Sequence, residues 1–200
     1  MGYRVVSVVI PVDRNENPEW VQSLVGSILM DQETNEVLVI TQGDPLSFPL
    51  HVNERMRVRR QSDPRGKKAS ALNDGLSMSR SLYTFFVDGD VVLQGDEIPI
   101  AREMLEEEDV HFVSCGYGSR PPSFPIIVGM GGWFSACRTN TFRDLGGWVP
   151  SYTEDVATTI MIKKAGFQIK PLPFSVSLRR PVRESGLKFL SVLTSFGRRE

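Results

Sequence analysis

Residues 5–10 read Val-Val-Ser-Val-Val-Ile and run into Pro11. A stretch rich in β-branched side chains with almost no polar alternation is the pattern of a central parallel strand covered on both faces. The pattern returns at 36–40 (Glu-Val-Leu-Val-Ile) and at 83–87 (Tyr-Thr-Phe-Phe-Val). Between the first two runs, Val21, Leu24, Val25, Ile28 and Leu29 recur at helical spacing behind Pro18, a residue suited to a first helical turn. Strand, helix, strand in that order begins a doubly wound α/β sheet. The 200 residues, 40% of them hydrophobic, are enough for one domain with a sizeable core.

The remaining pattern extends this plan. Residues 55–60 alternate as a short, half-exposed strand. Residues 68–82 place Ala69, Leu72, Leu76 and Ser79 on one helical stripe, and 98–108 read as a helix followed by a strand at 111–115. From 116 to 149 the texture turns to Gly, Pro, Ser and aromatics, so a long irregular segment is expected there. A helix resumes at 154–165 with Thr153 as N-cap and Gly166 beyond its end, and residues 167–171 close the sheet. No internal repeat or low-complexity linker divides the chain.

Composition removes several classes. A formal charge of −1 gives no global case for nucleic acid or anionic lipid as main partner. Cys115 and Cys137 are too few for a disulfide framework or a thiolate zinc site and read as small buried hydrophobes. The apolar start is too short for a signal peptide and no stretch approaches a membrane span, which predicts a cytoplasmic protein. A basic run, Arg55, Arg57, Arg59, Arg60, Arg65, Lys67 and Lys68, lies just upstream of the third apolar run, with Asp63 opposing it. Arg138 and Arg143 read as solvated or structural.

That third run ends in Asp88-Gly89-Asp90. Asp-Gly is a common turn dipeptide, yet the carboxyl ends of parallel strands are also where open sheets bind ligands. The stretches 11–13, 41–44, 60–68 and 88–90 all fall on that edge. Paired carboxylates there suit Mg2+ or Mn2+, which complete their shells from phosphate and water.

Val6-Ser7-Val8-Val9-Ile10-Pro11, the segment Gly66-Lys67-Lys68-Ala69-Ser70-Ala71-Leu72-Asn73-Asp74-Gly75, Asp88-Gly89-Asp90, Gly146-Gly147-Trp148 and Thr153-Glu154-Asp155 together resemble family 2 glycosyltransferases. The resemblance spans residues 5–172, and the ordered set is far more specific than any one motif. It implies a single GT-A domain with a Rossmann-like, mostly parallel sheet flanked by helices. About 1–95 would form a nucleotide-sugar-binding half and about 96–185 an acceptor-binding half, with 186–200 an amphipathic end segment. It further implies that Pro11, Val12 and Asp13 line the nucleotide pocket, that Gln42 sits beside the base, and that Lys68 and Asn73 contact the nucleotide or its phosphates. Asp88 would lie near ribose and metal, with Asp90 the direct ligand of Mn2+ or Mg2+. Asp155 would be the general base of an inverting transfer, taking the proton of an acceptor hydroxyl. Glu154, Trp148 and Trp133 would face the acceptor, the indoles by stacking on sugar rings, although Trp is more often core.

Two departures from the family pattern matter. Gln42 stands where members commonly carry Asp, and an amide both donates and accepts, so the base is open. The Gln-x-x-Arg-Trp motif of processive synthases is absent, which favours single transfer; Arg179, Arg180 and Arg183 stand ready to face the diphosphate instead. In 186–200, Phe189, Val192, Leu193 and Phe196 have helical spacing and dock on the core; a second reading sets them at a membrane surface near a lipid-linked acceptor. The expected partners are thus a nucleotide-diphosphate sugar and a hydroxyl acceptor, with no nucleic acid. The alternatives are a non-catalytic nucleotide-sugar-binding module, a sugar-nucleotide nucleotidyltransferase, whose Gly-rich basic signature is missing after the first strand, and an Asp-nucleophile phosphatase, whose acidic pair belongs on the first strand rather than the fourth.

Overall fold

A computed structural model describes residues 5–44, 53–63, 65, 67–117, 129–131 and 133–179. Eight strands form one sheet in the order β3-β2-β1-β4-β7-β6-β8-β5. They are β1 Val6–Val12, β2 Thr34–Thr41, β3 Met56–Arg60, β4 Tyr83–Val87, β5 Val91–Val92, β6 Phe112–Tyr117, β7 Phe134–Arg138 and β8 Ile169–Leu178. The helices are α1 Pro18–Leu29, α2 Lys67–Met78, α3 Glu97–Glu106, α4 Thr139–Asp144 and α5 Glu154–Lys164. Strands β3, β2, β1 and β4 are mutually parallel, and β6 is parallel to β8. Strand β7 runs antiparallel to both β4 and β6. This is the expected α/β architecture with a mostly parallel central sheet.

The sheet is covered on both faces because its strands are apolar on both. Val8, Ile10, Val37, Val39, Phe85 and Val87 join α1 and α3 in one core cluster. Val9, Leu38, Ile40 and Phe86 point the other way, into a second cluster with Ala69, Leu72 and Leu76 of α2 and Phe142 of α4. Gly75 lets α2 approach β1: a Cβ there would lie 2.7 Å from Val9 Cγ2 and 3.0 Å from Val9 Cβ.

Pro11 does not end the first strand as expected. Val12 C=O accepts from Gln42 N, and Val5 C=O from Tyr83 N, so even-numbered residues of β1 bond to β2 and odd-numbered ones face β4. Pairing with β4 stops at Val9–Phe86, so the missing N–H of Pro11 falls where no partner strand remains.

The segment from 116 to 149 is also more regular than its composition suggests. It contains β7 and α4, and β7 is inserted between β4 and β6 with Phe134, Ser135, Ala136 and Cys137 buried. The last strand is longer than expected, ten residues through Pro171 and Pro173, both exposed. Helix α2 ends at Met78, short of the expected 82, and β5 was not anticipated.

Much of the basic sequence is spent on helix ends. The last carbonyls of a helix have no partner within it and carry partial negative charge. Arg55 donates to Leu29 C=O (2.6 Å) and Thr34 C=O (3.0 Å) below α1. Arg138 donates to Glu107 C=O (2.7 Å) and Val110 C=O (3.0 Å) below α3. Arg143 donates to Leu76 C=O (2.7 Å), Ser77 C=O (3.2 Å) and Ser79 C=O (2.5 Å) below α2. Arg57 pairs with the buried carboxylate of Glu36, which also accepts from Ser7 Oγ at 2.8 Å.

Candidate donor and acceptor site

The carboxyl ends of β1, β2 and β4 meet at one edge, where the strand order reverses direction around β1. Leaving β1, Asp13 is exposed, and its Oδ1 accepts from Asn15 N at 2.9 Å in an Asx turn. Pro11 and Val12 are buried beneath it, and Gln42 is tied to Val12 by its backbone N–H at 3.0 Å. At the end of β4, Asp88 N–H donates to Trp133 C=O at 3.0 Å, fixing the start of the acidic turn against the strand beside it. A Cβ on Gly89 would lie 3.2 Å from both Glu16 Cγ and Val21 Cγ2, so this turn packs against the loop that opens α1. Glu16 is therefore a neighbour of the Asp88–Asp90 turn, which sequence spacing alone does not reveal.

Lys68, in the first turn of α2, reaches Asp88, with its Nζ 2.5 Å from Oδ1 and 2.7 Å from Oδ2. Burial acts to lower the pKa of Lys68, but Asp88, with Glu154 and Asp155 beyond it, outweighs burial and holds it above the ordinary value. Burial pushes the carboxyl of Asp88 upward against the pull of Lys68, and the negative charges of Asp90 and Glu154 push the same way. For a simple ion pair these two shifts disagree, since pairing should lower the acid. The side chains keep 28% and 20% exposure and the pair is bidentate, so a charged pair with a protonated Lys68 describes the site best. The negative charges at the start of α5 also act here, Glu154 and Asp155 on Lys68 and Glu154 on Asp88.

Asp90 makes no hydrogen bond or ion pair through its carboxylate to any described residue. Its C=O accepts from Arg179 N at 2.8 Å, where β8 ends against β5. Arg179 thus stands beside the acidic turn, its Nη2 donating to Ser23 Oγ of α1 at 2.7 Å. Among the described residues no group of three or more His, Cys, Asp or Glu side chains could hold a metal ion. One unengaged carboxylate with a second beside it still fits Mg2+ or Mn2+, because these ions take one or two carboxylates and draw further oxygens from a bound phosphate.

Two expected contacts are corrected. Trp148 does not offer a stacking face: it is 1% exposed and meets Phe86 and Phe142 edge-on, with ring centroids 5.2 and 5.8 Å away. Asn73 does not turn towards a nucleotide either. Its Nδ2 donates to Trp148 C=O and its Oδ1 accepts from Trp148 N, both at 2.8 Å, so both ends of the amide are engaged. Gly147 has φ +75°, and a Cβ there would run into Asn73 Oδ1, which is why glycine precedes Trp148. Trp133 is partly buried against the core.

Helix α5 carries Glu154 and Asp155 in its first turn, and Thr153 occupies the N-cap position without the side-chain cap expected of it. Threonines take over the anchoring. Thr158 Oγ1 accepts from Val149 N at 3.0 Å; Thr159 Oγ1 accepts from Met130 N at 2.9 Å and donates to Asp155 C=O at 2.7 Å. Asp155 Oδ1 accepts from Val156 N at 2.8 Å. Ahead of the helix, Lys67 places its ammonium 3.0 Å from the ring centroid of Tyr152, which is 90% exposed. Tyr152 belongs to neither the helical pattern nor the Thr153-Glu154-Asp155 motif, so the sequence carries no signal for this contact. Gly66, Gly132, Arg180, Arg183 and the segment 186–200 lie outside the described residues.

The Lys68–Asp88 ion pair thus lies at the strand-end edge where open α/β sheets take ligands. The family model "Glycosyl transferase family 2" matches residues 7–161, and the chain belongs to that family. No curated protein matches it significantly in sequence. Among solved structures, it is similar to the mannosyltransferase PcManGT from Pyrobaculum calidifontis in complex with GDP-Man and Mn2+ (TM-score 0.73, 20% identity, 89% of this chain and 57% of that one). It is also similar to S. aureus TarS 1-349 (TM-score 0.64, 16% identity, 86% of this chain and 59% of that one). The chain therefore spans less than two thirds of either structure, and at these identities the likeness shows the fold.

Proposed function

We propose that the protein is a glycosyltransferase that moves one sugar from a nucleotide-diphosphate sugar to a hydroxyl acceptor, with inversion and with a divalent metal. The observation that carries this reading is the Lys68–Asp88 ion pair beside the unengaged carboxylate of Asp90 at the switch point of the sheet, with the charges of Glu154 and Asp155 also acting on Lys68. A donor half of about 1–95 then supplies Asp13, Gln42, Lys68, Asp88 and Asp90, and an acceptor half of about 96–185 supplies Asp155.

In this reading Asp13 and Gln42 border the nucleoside, with the Gln42 amide able both to donate to and to accept from a base edge. Asp88 orients Lys68, whose ammonium stands ready for the phosphates. Asp90 would hold Mn2+ or Mg2+, which would supply positive charge to the departing diphosphate. Asp155 accepts the proton of the acceptor hydroxyl as that oxygen attacks the anomeric carbon from the face opposite the leaving group, and Glu154 borders the acceptor. Inversion follows from a single displacement with one base.

The test is a panel of nucleotide sugars with and without Mn2+, applied to the parent protein and to Asp90→Ala and Asp155→Asn. Both variants should lose transfer, by about 10²–10⁴-fold for loss of a general base. Only Asp90→Ala should weaken metal-dependent donor binding in calorimetry. Full transfer by Asp155→Asn would remove the base assignment. Donor binding without turnover on any acceptor would instead make the protein a nucleotide-sugar-binding module.

A further inference from the structure

We infer that Asn73 is a positioning residue that sets Asp155 at its working distance from the donor groups, acting through the backbone of Trp148. The inference rests on the reading of Asp155 as base. Helix α2 touches the donor side through Lys68, which is bonded to Asp88. Five residues on, Asn73 closes a two-bond amide pair with the main chain of Trp148, both bonds at 2.8 Å.

From there the connection passes through adjacent residues of the chain, each held by a hydrogen bond. The N–H of Val149, the next residue, donates to Thr158 Oγ1 in α5, and the neighbouring Thr159 hydroxyl donates to Asp155 C=O. The same Trp148 ring is wedged against Phe86, two residues before Asp88 on β4. Movement of the 146–149 turn relative to α2 must break two hydrogen bonds in a half-buried place, so Asp155 inherits its position from α2. Asp155 sits at a helix start after a stretch with little regular structure; Arg143 also ties α4 to the end of α2, but the Asn73 pair is the described tie that grips the 146–149 turn itself. Lys67 over Tyr152 is exposed, and either partner can be solvated instead.

A purely structural Asn73 and a positioning Asn73 differ in how their loss combines with loss of the base. The test uses the full chain with Mn2+, with GDP-mannose, UDP-glucose and UDP-N-acetylglucosamine as donor probes and a mixture of methyl pyranosides as acceptors. Transfer and donor hydrolysis are followed separately for the parent, Asn73→Ala, Asp155→Asn and the double variant. A misplacement of about 1 Å lowers transfer on the order of 10²-fold. Asn73→Ala should show that loss in kcat, with donor KM within about twofold and donor hydrolysis retained, and should add nothing once Asp155 is Asn. Additive losses, or a loss expressed in donor KM, overturn the inference.

Full transfer by Asp155→Asn alone is a different result: it removes the base assignment and is read before Asn73 is varied. A second arm needs no substrate. Spin labels at Ser77→Cys on α2 and Ile160→Cys on α5, both exposed positions, should give a narrow distance distribution in the parent and a broadened or shifted one with Asn73→Ala. An unchanged distribution overturns the inference. If Asn73→Ala does not fold, Thr158→Val, which removes the acceptor for Val149 N–H at nearly constant volume, is put through both arms with the same expectations.

Discussion

Replacing Gly75 by Ala tests the packing of α2 on β1, because two known effects oppose each other there. In an exposed helix, Gly→Ala is stabilising by about 1 kcal/mol through backbone entropy and propensity. Gly75 is buried in the middle of α2, and the added methyl would sit 2.7 Å from Val9 Cγ2 and 3.0 Å from Val9 Cβ, with Cγ1 nearer still. Carbon atoms pack best at about 3.5–4.0 Å, so the helix must retreat by roughly 1 Å or Val9 must move. Val9 is 0% exposed on a central strand and is stiff at χ1. Overpacking of this kind costs about 1–3 kcal/mol, and the steep overlap with three atoms of one side chain puts this site at or beyond the upper end. The overlap therefore wins, leaving the variant less stable by about 2 kcal/mol or more, a fall of at least about 4–8 °C in Tm for a chain of this size. Calorimetry or urea denaturation reads this directly. Adding Val9→Ala should make the pair strongly non-additive, since the second change removes the atoms that clash. A single variant as stable as the parent, or more stable, would refute the close-packing argument.

Other outcomes follow from the same geometry. Arg143→Ala strips the carbonyls of Leu76, Ser77 and Ser79 of their donor; because the arginine is largely exposed the loss should be about 1–2 kcal/mol, seen as a lower urea midpoint at unchanged m, and an unchanged midpoint would deny the capping role. Trp148→Leu should lower stability by about 2–4 kcal/mol through lost aromatic packing; weaker acceptor binding at unchanged stability would restore the sugar-stacking role. Burial raises the Cys115 thiol to about 11 and the Cys137 thiol further, so neither should react with iodoacetamide at pH 8 until the protein is unfolded, as a mass shift would report. Because these folded-state values lie above those of unfolded thiols, stability should fall as pH rises from about 9 to 11; a flat urea midpoint across that interval contradicts the burial.

The parts of the fold that were legible in the sequence are those whose burial is written in side-chain type. Strands β1, β2 and β4 are covered on both faces and announce themselves as apolar runs, and α1 carries Pro18 at its start and an apolar stripe behind it. Strand β7 is equally buried but has one large apolar residue, Phe134, followed by the small Ser135, Ala136 and Cys137. Such a strand has no periodic signal, and the neighbouring glycines and Trp133 disguise it as loop. The sequence pattern ends the last strand at Pro171 because proline lacks the N–H a ladder needs, but β8 runs on to Leu178. It tolerates two prolines because β5 reaches only its last residues, Ser177 and Leu178, on one side, and its pairing with β6 breaks register between Ser114 and Gly116. At the site, a motif gives residue type and order but no direction. Lys68 points to the acidic turn and Asn73, on the same helix, points away from it; only the packing of Trp148 between Phe86 and Phe142 determines that difference.

The placement of Lys68 and Asn73 on one helix has a consequence for how the site is built. Five residues of α-helix span about 7.5 Å along the axis and turn through about 140°, so the two side chains leave α2 in different directions at a fixed separation. One reaches the tip of β4, the other the turn that leads into α5. Since α2 is locked to β1 by the contact of Gly75 with Val9 and capped below by Arg143, that separation is a property of the core rather than of a loop. Asp13 and Tyr152, exposed beside the site, are bound to no such frame, whereas Gln42 is half-buried and tied to Val12. Such surface groups can change while the separation of Lys68 from the turn at 146–149 stays fixed, adaptable loops on a rigid scaffold.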